Sequence, residues 1–533
     1  MPYNCRYLPH SATNSFSKII LHYLDGALST HNLYSYSADK AGIAQAIQQK
    51  NFSTELRQTL VSQLQLQYGK LVVSDEVSKN ISKLADENTF TICTAHQPLI
   101  FTGTLYFIYK IAHTISLARQ LQNDFQQQHF VPVFYMGTED SDADEVGTFN
   151  FRDQKYTWDV NEQQCVGNIS TTEILKLLQQ LKQLVNSTVS EESIIAIFEE
   201  AYTTQATLAD ATRFIVNSLF GTYGLVVIDP NDIAFKRSFS EVFEQELLHG
   251  ISMPLVEKQN ITLQNLGYEP QASGRSINLF YIENNKRHRI EKVNDSWHIL
   301  DTSIIFSQEA LLQTLKEAPE KFSTNVLLRP LYQESILPNI AFIGGGGEVA
   351  YWLQQKLVFD YFKVQFPMLV LRQSFALQNT SMKALQVKLG LSDNQLFESP
   401  EHLLLERAKQ HQLTNTLQDL EAQWHKLAEQ YLLLADTNNI PLQQSIAAHE
   451  ARLLKVHARL QTKFISQLKR KDHDFAAQLD KLYQSYFKQG TLQERAEVFI
   501  DFYNEWGASK FVEAIVKYCK PYGDEFALLH YEA

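Results

Sequence analysis

RPLYQESILPNIAFIGGGGEVAYW, residues 329–352, is the stretch on which the fold turns. Its centre, NIAFI at 339–343, is a short apolar run that suits a buried strand opened by Asn339. Gly344, Gly345, Gly346 and Gly347 cannot extend that strand. Glu348 then opens VAYWLQQKLVFDYF, which is long and apolar enough for a mostly buried helix. A glycine loop feeding a helix presents backbone N–H groups at the positive end of the helix dipole, a setting for phosphate or carboxylate. Arg329 adds a planar cation able to grip such an anion with two bonds. The same glycines also serve a purely steric turn, and they match neither GxGxxG nor a Walker loop.

Similar strands lie on either side. FTICT (90–94), FVPVFYM (130–136), LVVID (225–229), NVLL (325–328) and MLVL (368–371) are apolar on both faces, with room for helices between them. Residues 105–122 carry Leu105, Ile108, Ala112 and Ile115 on one helical face, so strand, helix and strand form a βαβ unit. The expected fold is α/β, an open, mostly parallel sheet with helices on both faces. Residues 1–88 are polar, helical in pattern and without a motif. Between about 268 and 304 alternating runs (NLFYIE, KRHRIEKV, SWHIL) joined by ENN and ND predict an antiparallel insert on the main sheet, a lid or a substrate-side wall.

After Arg372 the periodicity changes. Leu413, Leu417, Leu420, Trp424, Leu427, Tyr431 and Leu434 follow heptad spacing, DTNNIP turns the chain, and Leu442, Ile446, His449, Leu453, Val456 and Leu460 repeat it. The second seam runs on less regularly through Phe464, Leu468, Phe475, Leu479, Leu482 and Tyr486. This predicts an antiparallel coiled-coil arm whose first helix, at roughly 33 residues, is on the order of 50 Å long. Such an arm serves dimerisation or supports a site at its base. The expected domains are 1–380 (core with insert), 381–488 (arm) and 489–533 (a segment returning to the core).

Composition narrows the partners. The 533 residues carry a net charge of -12, which disfavours a nucleic-acid surface, and 44% are hydrophobic, enough for a substantial core. No apolar run approaches the ~20 residues that span a bilayer, and the first residues lack an apolar signal core. A cytoplasmic protein acting on small molecules is expected. Cys5, Cys93, Cys165 and Cys519 are too scattered for zinc or a redox pair and are expected as free thiols.

Two segments follow strand ends, where doubly wound sheets bind ligands. AHQPLIFTGTLYFIYK (95–110) supplies His96, able to exchange protons near neutral pH, and the amide of Gln97. Thr102 and Gly103 precede the next helix as a cap and close-approach pair, and Tyr106 and Lys110 stand one turn apart on it. GTEDSDADEV (137–146) gathers Glu139, Asp140, Asp142, Asp144 and Glu145. A calcium loop is excluded, since the sixth position from Asp140 is Glu145 and the twelfth is Phe151. The acidic run remains open to binding an ammonium or sugar hydroxyls, to general-base work, to Mg²⁺ beside a nucleotide, or to simple solvation. The run Lys286, Arg287, His288, Arg289 is a solvated strand start or a phosphate contact. Serine-hydrolase, zincin and kinase patterns are absent, and no metal ligand set is assigned.

HQPLIFTGTLYFIYKI (96–111), FVPVFYMGTEDSDADEV (130–146), RPLYQESILPNIAFIGGGGEVAYWLQ (329–354) and GTLQERAEVF (490–499), with the hairpin between, resemble the bacillithiol biosynthesis cysteine-adding enzymes over nearly the whole chain. Two departures are His96, where glutamine is expected, and Gly346, where proline is common. The resemblance implies a Rossmann-like core with connecting-peptide inserts, a dimerising coiled coil, and a ligase that joins the carboxyl of cysteine to the amine of glucosaminyl-malate. Chemistry then requires an activated carboxyl, an acyl phosphate or adenylate, so ATP or another nucleotide is the expected cofactor. His96 and Gln97 are expected at the reacting centre, Asp140, Asp142 and Glu145 at the sugar hydroxyls or amine, and the glycine loop, Arg329 and Glu348 around a phosphate or the malyl carboxylates. The alternatives are a non-catalytic dimeric scaffold and a nucleotidyltransferase for another small acid.

Overall fold

Strands that are apolar on both faces must be covered on both sides. In the computed structural model five of them pair in parallel, in the spatial order Met368–Leu371, Asn339–Gly344, Thr89–His96, His129–Met136, Val226–Ile228. The structure describes residues 3–69, 71–151, 154–158, 164–185, 194–409, 412–506 and 508–532. From Thr89–His96 the chain builds outward through His129–Met136 to Val226–Ile228, then returns to lay Asn339–Gly344 on the other flank. That reversal opens a crevice at the carboxyl ends of Thr89–His96 and Asn339–Gly344, the switch point of a doubly wound sheet. The helix Leu105–Asp124, buried along most of its length, packs over the sheet between them.

The stretch 325–328 is a turn instead of the expected strand. Asn325 Oδ1 accepts from the N–H groups of Leu327 and Leu328 (3.0 and 3.3 Å), and the helix Arg329–Ile336 starts directly after. The helix expected after Glu348 is two helices, Gly346–Trp352 and Lys356–Phe362. It breaks where the buried Gln354 accepts from the N–H groups of Gln271 and Ala272 and donates to Ala272 O, holding a loop of the insert against the core.

The insert forms its own antiparallel sheet instead of extending the main one. Its order is Ile305–Ser307, Ser296–Ile299, Lys286–Val293, Leu279–Glu283, Phe322–Thr324. Asn284 and Asn285, at φ 50° and 62°, make its first hairpin turn. A third sheet joins the termini. Asn4–Leu8, not anticipated within the helical first 88 residues, pairs antiparallel with Phe526–Tyr531, which pairs parallel with Phe375–Asn379. The short, polar NCRYL gives no strand signal by itself.

The arm is a hairpin of Gln412–Thr437 against Gln443–Lys471, and His473–Tyr486 beyond it packs on Thr380–Leu389 and Pro400–Lys409. Among the described residues the helix Gln412–Thr437 has 26 residues, about 39 Å. The predicted seam divides. Leu417 is buried, but Leu420, Leu427, Tyr431 and Leu434, with Leu453, Val456, Leu460 and Phe464 opposite, each leave 40% or more of their surface in water. The hairpin closes instead on Ala428, Ala435 and His457, with His425 Nδ1 bonded to Glu450 (2.7 Å). Small side chains let two helices approach, which leaves the large ones on an outer stripe. The side chains of Leu413 and Asp144 lie outside the described residues. All four cysteines are free thiols, with Cys93 buried in the central strand.

Candidate active site

Three strand ends of the central sheet meet the insert and the return segment around a cavity of about 620 Å³. Ala95, His96 and Gln97 come from the first strand end, Gly137, Thr138, Glu139 and Asp140 from the second, and Gly345, Gly347 and Glu348 from the glycine loop. Tyr106, Lys110, Glu145 and Arg329 complete the part foreseen from sequence.

His96 does not titrate near neutrality. Burial, then the charge of Lys110, pull its pKa down to about 3. Nδ1 lies 3.1 Å from Gln97 O, an acceptor, so Nδ1 carries the proton and Nε2 accepts the Tyr106 hydroxyl at 3.1 Å. His96 thus orients Tyr106 and needs no charge to do so.

The acidic group is where protons can be handled. Gln97 Nε2 donates to Asp140 and to Glu145, 3.0 Å each, tying the two carboxylates into one cluster. Glu145 titrates above the ordinary carboxylate value because of burial, with the charges of Asp142 and Asp140 adding and Gln97 opposing. A carboxylate so placed is suited to take a proton from an ammonium.

The other charges are mostly paired. Glu139 meets the buried Lys236, which also donates to Phe322 O (2.7 Å). Lys110 donates to Ala95 O (2.9 Å) and meets Glu348 at 2.5 Å. Against the upward push of burial, Lys110 and the Gly345 N–H hold Glu348 below its ordinary pKa. Arg287 reaches Asp140 at 3.5 Å and Thr324 O at 2.5 Å. Arg372 grips Glu494 with two bonds, 2.6 and 2.9 Å.

Three cations remain without a carboxylate. Arg329, at the first turn of its helix, donates to Gln333 and the Tyr351 hydroxyl (2.9 and 2.8 Å) and lies over the rings of Tyr135 and Phe342. Arg275 and Arg495 line the cavity with no hydrogen bond or ion pair from their guanidinium groups among the described residues. Glu145 is the one lining carboxylate without a cation bonded to it. The site therefore holds a surplus of about two positive charges inside a protein of net charge -12. A dianion would answer that surplus.

Six expected residues lie away from the cavity. The Thr102 hydroxyl donates to Phe101 O, and Gly103, at φ 59°, packs on Leu99; the helix is capped at Thr104 instead. Asp142 is exposed and accepts the Glu145 N–H. Asn339 is buried at the opposite, amino end of its strand, bonded to Thr91 and Glu334. Gly344 lies within the strand and Gly346 faces Ile20. At the glycine loop, Gly345 N–H already donates to Glu348 Oε2 (2.8 Å), so the first turn carries a carboxylate of its own chain. The unpaired positive charge of the cavity therefore sits on the arginines and not at the loop. Arg287 came from a flagged basic run; Arg275 and Arg372 lie singly in loops with no sequence signal, and Arg495 lies in the short helix Gln493–Ala496 within GTLQERAEVF, a motif quoted for the resemblance without a role for this residue. Among the described residues no cluster of three or more metal-ligating side chains occurs, and no helix is long and apolar enough to cross a membrane.

Fold and site together define a Rossmann-like protein with a positively charged cavity at its switch point and a coiled-coil arm. Residues 1–373 match the family described as "Bacillithiol biosynthesis BshC, N-terminal Rossmann-like domain", and residues 375–531 match its "C-terminal coiled-coil domain". The chain belongs to the bacillithiol biosynthesis BshC family. Relatives named "Putative cysteine ligase BshC" include one from Flavobacterium johnsoniae, 37% identical over 99% of this chain and 100% of its own. Another, from Flavobacterium psychrophilum, is 34% identical over 99% of both chains, and one from Cytophaga hutchinsonii is 34% identical over 92% of both.

Proposed function

We propose that this protein is a carbon–nitrogen ligase that joins the carboxyl of cysteine to the amine of glucosaminyl-malate, forming bacillithiol. The observation that carries the reading is one cavity holding both a carboxylate cluster fit for an amine and arginines fit for a dianion. The sugar amine faces Asp140 and Glu145, and Glu145 takes its proton as the bond to the carboxyl carbon forms. Gln97 fixes both carboxylates at a set spacing, so little reorganisation accompanies the transfer. Glu139, held from behind by Lys236, offers an acceptor for sugar hydroxyls.

Amide formation in water needs an activated carboxyl, which ATP or another nucleotide would supply. Arg329 fits that role, since it is a half-buried guanidinium without a carboxylate partner that is available to phosphate or carboxyl oxygens. The outer stripe of the arm supports a homodimer, because facing apolar residues on both helices remain uncovered in a single chain.

Purified protein given cysteine, glucosaminyl-malate and ATP should yield the amide-linked thiol by mass spectrometry. Glu145→Gln should lower kcat by about 100-fold or more. Absence of product with every nucleotide tried would favour the scaffold reading.

A further inference from the structure

The motif GTLQERAEVF, at the chain's return from the arm, has no part in the chemistry above, yet it is locked to the site from two sides. Gln493 is buried, accepting from Leu377 N (2.7 Å) and donating to Leu377 O and Ser485 O (3.3 Å each), so it bridges the core and the last arm helix. Glu494 is buried on Arg372 and accepts from the Ser374 hydroxyl (3.2 Å). Two residues beyond Arg495, Glu497 O accepts from Leu105 N (2.9 Å), beside the bridge Thr104↔Val498. The backbone on both sides of Arg495 is therefore pinned, to the strand end that carries Arg372 and to the start of the helix that carries Tyr106.

The side chain between these anchors is exposed and unpaired among the described residues. It faces the central cavity and also the two neighbouring grooves, which places it at the mouth. Arg372 lies over the Tyr106 ring at 5.8 Å, and the charges of Glu145, Glu348, Arg372 and Arg495 all act on the Tyr106 phenol. Arg372 is already neutralised by Glu494. Arg495 is not, so a free guanidinium lines the same cavity as the carboxylate that faces the amine.

We infer that Arg495, contributed by the segment returning from the arm, is the specificity-determining residue that holds a carboxylate of the malyl group. This rests on the ligase reading and deepens it. In the acceptor the amine and the glycosidic bond to the malyl group are on neighbouring ring carbons, so a residue reading the malyl carboxylates must share the cavity of the base that faces the amine. Arg495 and Glu145 line one cavity, and both act on the Tyr106 phenol. Arg329, on the glycine-loop side beside Tyr351, is left for the activated carboxyl.

Isothermal titration of the full-length protein with malate tests the assignment without requiring turnover. Arg495→Gln should weaken malate binding about tenfold or more, Arg495→Lys by less, and the affinity for cysteine should change less than twofold in both. The melting temperature should stay at the wild-type value, because the side chain has no internal partner to lose. Malate affinity within twofold of wild type in Arg495→Gln would overturn the inference, as would failure of the wild type to bind millimolar malate. Absence of ligation by wild-type protein that binds malate through Arg495 would instead remove the ligase reading and leave the dicarboxylate site standing.

Discussion

Replacing Glu494 with glutamine should destabilise the core well beyond an ordinary surface change. Glu494 and Arg372 side chains are 2% and 4% exposed, joined by bonds of 2.6 and 2.9 Å, with Ser374 as a third partner. Glutamine keeps the shape but turns an N–H₂ group toward a guanidinium that can only donate, leaving Arg372 buried and unneutralised. Removing one member of such a pair costs about 3–5 kcal/mol. With about 2.1 cal/mol/K of unfolding entropy per residue, and the 1–373 domain unfolding as one unit, that loss lowers Tm by about 4–6 °C. Calorimetry on wild type, Glu494→Gln, Arg372→Met and the double variant measures it. The double variant should recover most of the loss, because two apolar or neutral groups no longer leave a bare charge. A Glu494→Gln loss under about 1 kcal/mol, or strict additivity in the cycle, would refute the view that this pair fastens the return segment to the site.

Gln97→Leu removes the donor shared by Asp140 and Glu145, so the Glu145 pKa, already raised by burial and its acidic neighbours, rises further. The acid limb of kcat/KM should move up by about half to one pH unit, a figure discounted because 43% of the Glu145 side chain is open to water; an unmoved limb counts against Glu145 as base. His96 and His113 are held neutral, near 3 and 4, chiefly by burial, and His113 Nδ1 must stay unprotonated to accept Gln373 N–H. Both native values lie below the unfolded one, so their contribution is complete above about pH 6.5 and is lost as pH falls, by about 4 kcal/mol for the pair at pH 5. Denaturation at pH 7 and pH 5 should show that loss reduced by about half in His113→Gln. Leu427→Glu with Leu460→Glu places charges on the arm's outer stripe and should convert a dimer to monomers in sedimentation; a wild type that sediments as a monomer argues against the stripe as an interface.

The parallel core was legible because strands buried on both faces leave continuous apolar runs, and NIAFI before four glycines marks a strand end whatever surrounds it. Local pattern misled where a side chain works against it. NVLL is apolar enough for a strand, but Asn325 caps the following turn, and Gln354 spends its amide on the insert and interrupts a helix. The heptads announced an arm, yet a repeat of leucines does not say which stripe closes the hairpin and which faces outward, since that depends on how closely Ala428 and Ala435 let the helices approach.

The sequence by itself determined the fold class, the family, and the strand-end segments that carry His96, Gln97, Asp140, Glu145, Arg329 and Glu348, because these are set by local periodicity and contiguous motifs. Only the tertiary structure decided their states. His96 is neutral because of what buries it, the glycine loop is occupied by its own Glu348, and the cavity's positive surplus rests on Arg275 and Arg495, which reach it from the insert and the far end of the chain. Charge pairing and desolvation depend on distances across the fold, and those distances are fixed only when residues hundreds of positions apart pack together.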